Sequence, residues 1–217
     1  MATTSPPRAR TPAVRRDPRR TAARLLLWIL CLLPAARLVL EYRADGLGVN
    51  PIERLTHQTG RAALFILIAT LAVTPIRRIT RWNWIVQLRR PLGLFAFFYA
   101  LLHFATYVVL DQFFAWQYIV EDIMERPYIT VGFTALLLLV PLAITSTRGW
   151  IRRLGRNWQR LHMLIYPAAA LGLLHFYWKL ASKSDVRDAL AYGAVLVLLL
   201  STRALIALER RRRRPGA

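Results

Sequence analysis

Arg160-Leu-His-Met-Leu-Ile-Tyr-Pro-Ala-Ala-Ala-Leu-Gly-Leu-Leu-His-Phe-Tyr-Trp178 is apolar over the length of a helix, yet it carries His162 and His175 and no carboxylate. Read as a helix, the thirteen steps between the two histidines amount to roughly 20 Å at 1.5 Å per residue, so one lies near each side of a bilayer core. An ionisable side chain inside a membrane span marks a candidate functional site. Neutral imidazole is a metal ligand and a frequent axial ligand of haem iron, although it also serves as a simple interhelical hydrogen-bonding group.

The rest of the chain supports a membrane reading. Of 217 residues 56% are hydrophobic, and the formal net charge is +20. In a soluble protein such a charge would suggest nucleic acid, but here the arginines cluster at the ends of apolar runs, as membrane spans and their cytoplasmic loops do. No nucleic-acid partner is expected. Cys31 is the one cysteine, which excludes an internal disulfide, a thiolate-ligated cluster and a Cys-x-x-Cys redox pair.

Working outward, the pattern predicts an all-α integral membrane protein of six transmembrane helices in a bundle. A disordered basic cytoplasmic tail, 1–23, is broken by Pro6, Pro7, Pro12 and Pro18. A transmembrane domain follows over 24–208, with spans at about 25–42, 61–76, 91–110, 128–145, 161–178 and 189–208. The chain closes on a second basic cytoplasmic tail, 209–217. Residues 43–60, with Asp45 and His57, read as a polar outer loop, and 111–127 as an outer loop whose acids and aromatics suit a short interfacial helix and a docking face. Lys183 belongs to a further outer loop. Arginines gather in the tails and in the loops at 77–90 and 147–160, so both termini are expected in the cytoplasm. Membrane lipids are the surrounding partner.

Orientation turns sequence position into depth. The third span runs outward, placing His103, twelve residues in, roughly 18 Å from the inner boundary. His175, on the outward-running fifth span, reaches nearly the same level. Two imidazoles on neighbouring helices at matched depth are what a six-coordinate b-type haem requires. One layer inward, Arg89 precedes His103 by fourteen residues and falls about 40° from it on an ideal helix. Arg89, Arg90 and His162 thus outline an inner site suited to haem propionates, a flavin phosphate or a quinone carbonyl. The same arginines would equally anchor the helix to lipid headgroups. On an ideal helix His162 and His175 sit about 140° apart, a turn that Pro167 between them can alter.

At these residues the sequence resembles the ferric-reductase-like transmembrane family, and more closely its branch of haem-binding membrane subunits of bacterial methionine-sulfoxide reductase systems. The resemblance covers about 46–205 through Thr74-Pro75, Arg89-Arg90-Pro-Leu-Gly93, His103, Pro127-Tyr-Ile-Thr-Val-Gly132, Thr145-Ser-Thr147, Leu154-Gly155, Trp158, Leu161-His162 and His175-Phe-Tyr-Trp178. It implies haem b held between spans three and five, association with FMN, and a bacterial inner-membrane location. Electrons would pass from the quinone pool to a periplasmic molybdopterin-containing partner, the MsrP reductase, in a heterodimer. Larger ferric reductases carry an inner histidine where this chain has Arg89 or Arg90.

The expected metal ligands are therefore His103 and His175, with His162 as a further candidate, and the expected cofactor-binding set adds Arg89 and Arg90. No G-x-G-x-x-G fingerprint follows a strand, so electrons must come from a membrane-soluble donor or another protein. The chain reads as the electron-transfer subunit of an oxidoreductase rather than its catalytic subunit. Competing readings are a stand-alone ferric or quinol reductase and a haem-free assembly or transport protein.

Overall fold

A computed structural model describes residues 18–44, 46–181 and 185–212. The tail before Pro18, Asp45, Lys183 and the final arginines Arg213 and Arg214 lie outside the described residues. Among the described residues the structure is helical, without strands: α1 (Pro18–Arg43), α2 (Pro51–Thr80), α3 (Arg89–Ala105), α4 (Trp116–Glu125), α5 (Pro127–Ile144), α6 (Arg148–Leu154), α7 (Arg156–Leu161), α8 (Ile165–Ala181) and α9 (Arg187–Arg212). Six stretches among the described residues are long and apolar enough to cross a membrane, and the protein is a multi-pass membrane protein.

Element ends show what local chemistry adds to hydropathy. α2 begins at Pro51 and not near residue 61, so His57 lies on a helix and not in a loop. The reason is written in Asn50-Pro51-Ile52-Glu53: the Asn50 side chain accepts from the Glu53 backbone N–H at 3.2 Å, and proline opens the first turn where its missing N–H is harmless. α1 likewise starts at Pro18, inside the segment expected to be a tail. The third and fifth spans are composite. A 3-10 turn, Asn83–Leu88, leads into α3 and a π-helical turn, Thr106–Asp111, ends it, while α7 joins α8 through the 3-10 turn His162–Leu164.

The core forms where α2 lies along α3 and α5 lies along α8. α1 is largely exposed and is held by Tyr99, which is fully buried on α3. Its hydroxyl accepts from Ala35 N–H at 3.1 Å and donates to the Cys31 carbonyl at 2.7 Å, bridging the α1 backbone next to Pro34. α9 is fastened at both ends, by Arg61–Asp188 and Arg78–Glu209, each 2.8 Å. α4 packs back on the bundle through Asp122, whose carboxylate accepts from the Tyr107 hydroxyl at 2.8 Å and meets Arg126 at 3.1 Å. Its opposite side leaves Trp116, Val120 and Met124 exposed.

The two helix pairs repeat one pattern. Glu53-Arg54-x5-Gly60-x2-Ala63-Leu64-x2-Leu67 on α2 returns as Glu125-Arg126-x5-Gly132-x2-Ala135-Leu136-x2-Leu139 at the start of α5. Ala96-x3-Ala100-x2-His103-Phe104 on α3 returns as Ala168-x3-Gly172-x2-His175-Phe176 on α8. The offset is 72 positions in both cases, from Gly60 to Gly132 and from His103 to His175. Self-similarity at a fixed period marks a duplicated structural unit.

Candidate functional site

The repeated residues line one cavity of about 320 Å³ among α2, α3, α5 and α8. Gly60, Ala63, Ala96, Ala100, Gly132, Ala135, Ala168 and Gly172 keep its walls thin, so the space between the helices is made by missing side chains. His103 and His175 stand across it with ring centroids 6.0 Å apart and planes at 71°.

Each imidazole is pinned in the same way. His103 Nδ1 lies 2.8 Å from the Thr56 carbonyl and His175 Nδ1 lies 2.7 Å from the Tyr128 carbonyl. A carbonyl only accepts, so each Nδ1 carries the hydrogen and each Nε2 keeps its lone pair. A backbone carbonyl that sets the tautomer in this way is the usual support of a metal-ligating histidine. One turn beyond each carbonyl is a glycine. A Cβ added at Gly60 would fall 3.0 Å from His103 Nδ1, and one at Gly132 would fall 2.7 Å from His175 Nδ1. Backbone carbonyl and bare Cα together form a seat for each ring.

Those observations test whether a haem fits. Among the described residues no group of three or more His, Cys, Asp or Glu could hold an ion. Two imidazoles supply two ligands, whereas a bare transition metal takes four or more. A metal between them must bring its own equatorial donors, as haem iron does. Two metal–imidazole bonds of about 2 Å each, the length found for zinc, together with the reach from each ring centroid to its Nε2, come close to the 6.0 Å between ring centroids. The donor chemistry, the thin walls and the spacing all suit the group.

The mouth of the cavity carries charge. Arg61, Arg126 and Lys179 line it beside Tyr107, Asp111 and Tyr128. Lys179 Nζ lies 5.7 Å above the Tyr128 ring. Hydrogen bonding to Tyr128 and the charge of Asp122 hold the Arg126 guanidinium above its ordinary pKa. His57 shares this wall and also lines a second pocket with Glu53, Arg54 and Arg61. His57 escaped a helix reading because the loop was run to residue 60, whereas Arg126 and Lys179 lie in other segments and reach the cavity only through packing.

His162 is not brought to the pair. Its Nε2 lies 3.1 Å from Thr145 Oγ1, and that hydroxyl donates to the Pro141 carbonyl at 2.6 Å. With its hydrogen spent, Oγ1 accepts, so Nε2 of His162 is the N–H and Nδ1 holds the lone pair, the opposite tautomer to His103 and His175. Trp158 covers one face of the ring at 4.0 Å and donates to the Thr145 carbonyl at 3.0 Å. The nitrogen that keeps its lone pair in His103 and His175 is therefore engaged in His162. Arg89 is partly buried within electrostatic reach of His162. Arg90 is exposed. Missed by the sequence reading was Arg203 on α9, whose guanidinium donates to Tyr166 Oη, to the Leu71 carbonyl at 2.6 Å and to Thr74 Oγ1 at 2.9 Å.

Comparison with known proteins bears on the same region. The family described as ferric reductase like transmembrane component matches residues 59–173, which include both glycine seats and His103. The chain is similar to the protein-methionine-sulfoxide reductase heme-binding subunit MsrQ of Herminiimonas arsenicoxydans, 49% identical over 195 residues and 89% of each chain. It is 50% identical over 188 residues to the MsrQ subunit of Xanthomonas axonopodis pv. citri (strain 306), covering 84% of this chain and 85% of that one. The MsrQ subunit of Xanthomonas campestris pv. campestris (strain 8004) is 53% identical over 169 residues, covering 78% and 77%. With matches of this identity and extent, the chain belongs to the ferric-reductase-like transmembrane family and, within it, to the MsrQ subunits.

Proposed function

We propose that this chain is a transmembrane b-type cytochrome of the bacterial inner membrane, carrying electrons from the quinone pool to a periplasmic MsrP-like molybdopterin reductase that repairs oxidised proteins. The observation that carries the reading is the facing pair His103 and His175, each locked by a carbonyl in the tautomer that leaves Nε2 as donor. The relatives' names, heme-binding subunits of a methionine-sulfoxide reductase, support the cofactor and the partner.

Haem bound between the two rings supplies one-electron carriage. His103 and His175 would hold it, the small residues of the four helices would leave it room, and Arg61, Arg126 and Lys179 would suit its propionates. On the other side of the bundle, His162 with Arg89 is the electron-input site, for quinone or flavin. The arginine distribution supports cytoplasmic termini, so that the pair lies in the outer half and delivers outward. The docking face is 111–127, where exposed Phe113, Phe114 and Trp116 stand beside Asp111, Glu121 and Glu125.

A reduced-minus-oxidised visible spectrum of detergent-purified protein tests the assignment, with haem quantified for the native chain, His103→Ala and His175→Ala. The low-spin b-type signal is expected in the native chain and lost in both variants. Its retention in both would sink the ligand assignment.

A further inference from the structure

The ten residues of α4 fall into three rows on the helix surface. Ile119 and Asp122 are buried against the bundle. Trp116, Val120 and Met124 follow one another at four-residue spacing and are exposed, and Gln117, Glu121 and Glu125 form a third, also exposed, row. At about 100° per residue the apolar row begins where the buried one ends, and the acidic row lies on the far side. Met124 is 79% exposed, so the apolar row takes no part in the packing of the bundle itself.

Hydrogen bonds set the height of α4. Asp122 accepts from the hydroxyl of Tyr107, in the π-helical turn that ends the third span. Thr130 Oγ1, in the first turn of α5, donates to the Ile123 carbonyl. The Phe114 backbone N–H donates to the Val108 carbonyl at 2.9 Å, so the chain entering α4 is folded back on the last turn of the third span. α4 is therefore tied to the ends of two spans, where the hydrocarbon of a bilayer gives way to headgroups and water. The third span exposes Leu94, Phe98, Leu101 and Val109 up to that end, and Phe113 and Phe114 continue the apolar surface. Both phenylalanines lie in left-handed backbone, φ 47° and 60°, which bulky residues rarely adopt. Their rings stay exposed, and that of Phe114 meets Trp116 with centroids 6.2 Å apart. Burial within the chain does not offset that conformation, whereas an apolar phase outside it would.

We infer that α4 lies in the membrane interface, with Phe113, Phe114, Trp116, Val120 and Met124 inserted among lipid chains and Gln117, Glu121 and Glu125 in water. Aromatic rings collect at this boundary because they present an apolar body beside a wet headgroup layer. Helices that reach a membrane surface unaided carry lysine or arginine on the polar face. α4 has neither in its ten residues and needs neither, because two spans already hold it there. A soluble partner is the poorer match for the apolar row, since the interfaces of non-obligate complexes are no more apolar than ordinary surface. The assignment is independent of which end of the bundle is outer and goes beyond the docking reading. A partner on 111–127 would meet the acidic row, with the inserted aromatics fixing its height above the bilayer.

The test uses the full chain in phosphatidylcholine vesicles. In a Cys31→Ser background, Val120→Cys, Met124→Cys, Glu121→Cys and Glu125→Cys each receive a nitroxide. Collision rates are then measured with oxygen, which concentrates in lipid, and with a water-soluble nickel chelate. The ratio of oxygen to nickel collisions is expected to be several-fold higher at positions 120 and 124 than at 121 and 125. Nickel access at 120 and 124 equal to that at 121 and 125 puts the apolar row in water, as a face kept for a protein partner would be, and overturns the proposal. A second measurement needs no label, so a nitroxide that disturbs α4 does not decide the matter. The emission of Trp116, taken as the native chain minus Trp116→Phe, is expected to be quenched when brominated phosphatidylcholine replaces the ordinary lipid. Emission that the brominated lipid leaves untouched overturns the proposal as well.

Discussion

At Gly132 and Gly60 a missing side chain decides where an imidazole stands. The alanine methyl would meet His175 Nδ1 at 2.7 Å and His103 Nδ1 at 3.0 Å, and both rings are held against backbone that cannot easily retreat. Overpacking of this kind costs about 1–3 kcal/mol, so Gly132→Ala is expected to weaken haem retention by about tenfold or more. Gly60→Ala should follow with a smaller loss. Gly93→Ala serves as control, since its Cβ would meet Thr70 at an ordinary 3.8 Å. Haem-to-protein ratios after dialysis against apo-myoglobin check the order, and equal retention in Gly132→Ala and Gly93→Ala would contradict it. Spacing along one helix gave the level of each histidine but not its tautomer. That depends on carbonyls 47 residues distant in sequence for both rings, which only packing brings near.

Among elements, the join of α2 to α9 shows how a local defect recruits a distant residue. Pro75 leaves the Leu71 carbonyl without its helical donor, and Arg203 supplies one from α9. An unsatisfied buried carbonyl costs about 1–3 kcal/mol, so Arg203→Gln is expected to lower stability by that order. In a Pro75→Ala background the helix regains its own N–H, and the same substitution should cost clearly less. Thermal unfolding in detergent of the two single variants and the double measures the coupling; strict additivity would show that Arg203 does not serve that carbonyl. The start of α2 is written in Asn50-Pro51-x-Glu53, a cap followed by a first-turn proline and acid, although hydropathy put the span's start near residue 61. The role of Arg203 was not legible, because nothing in its own neighbourhood indicates a carbonyl 132 positions away.

For the whole molecule, the duplication places α2–α3 and α5–α8 as two like halves that share one cavity between their histidines. Parallel repeats of this kind are related by an axis along the membrane normal. We propose that both termini face the cytoplasm. In a Cys31→Ser background, cysteines placed at Ser5 or Ala217 should be protected from a membrane-impermeant maleimide in intact spheroplasts and labelled after permeabilisation. A cysteine at Val49, which is fully exposed between α1 and α2, should be labelled in both. The reverse pattern would invert the topology and put the His103/His175 pair in the inner half. The two halves also differ where they would be expected to match: Arg90 on α3 is the counterpart of His162 under the 72-residue offset. The layer of His162 is thus asymmetric although the layer of His103 and His175 is paired.

Membrane class, six spans and the matched level of His103 and His175 follow from the chain's own residues. Hydropathy, helix rise and arginine placement are properties of each segment alone, so they survive without knowledge of its neighbours. Only the tertiary structure decided which faces meet. A helical wheel gives direction only about its own axis, and the 3-10 turn at His162–Leu164 and the π turn at Thr106–Asp111 break the ideal winding on which such a wheel depends. Packing of α2 on α3 and α5 on α8 therefore chose the carbonyl and glycine seats of the two rings. It also turned His162 toward Thr145 and brought Arg203 across to α2, because side chains far apart in the chain compete for the same few unsatisfied backbone groups.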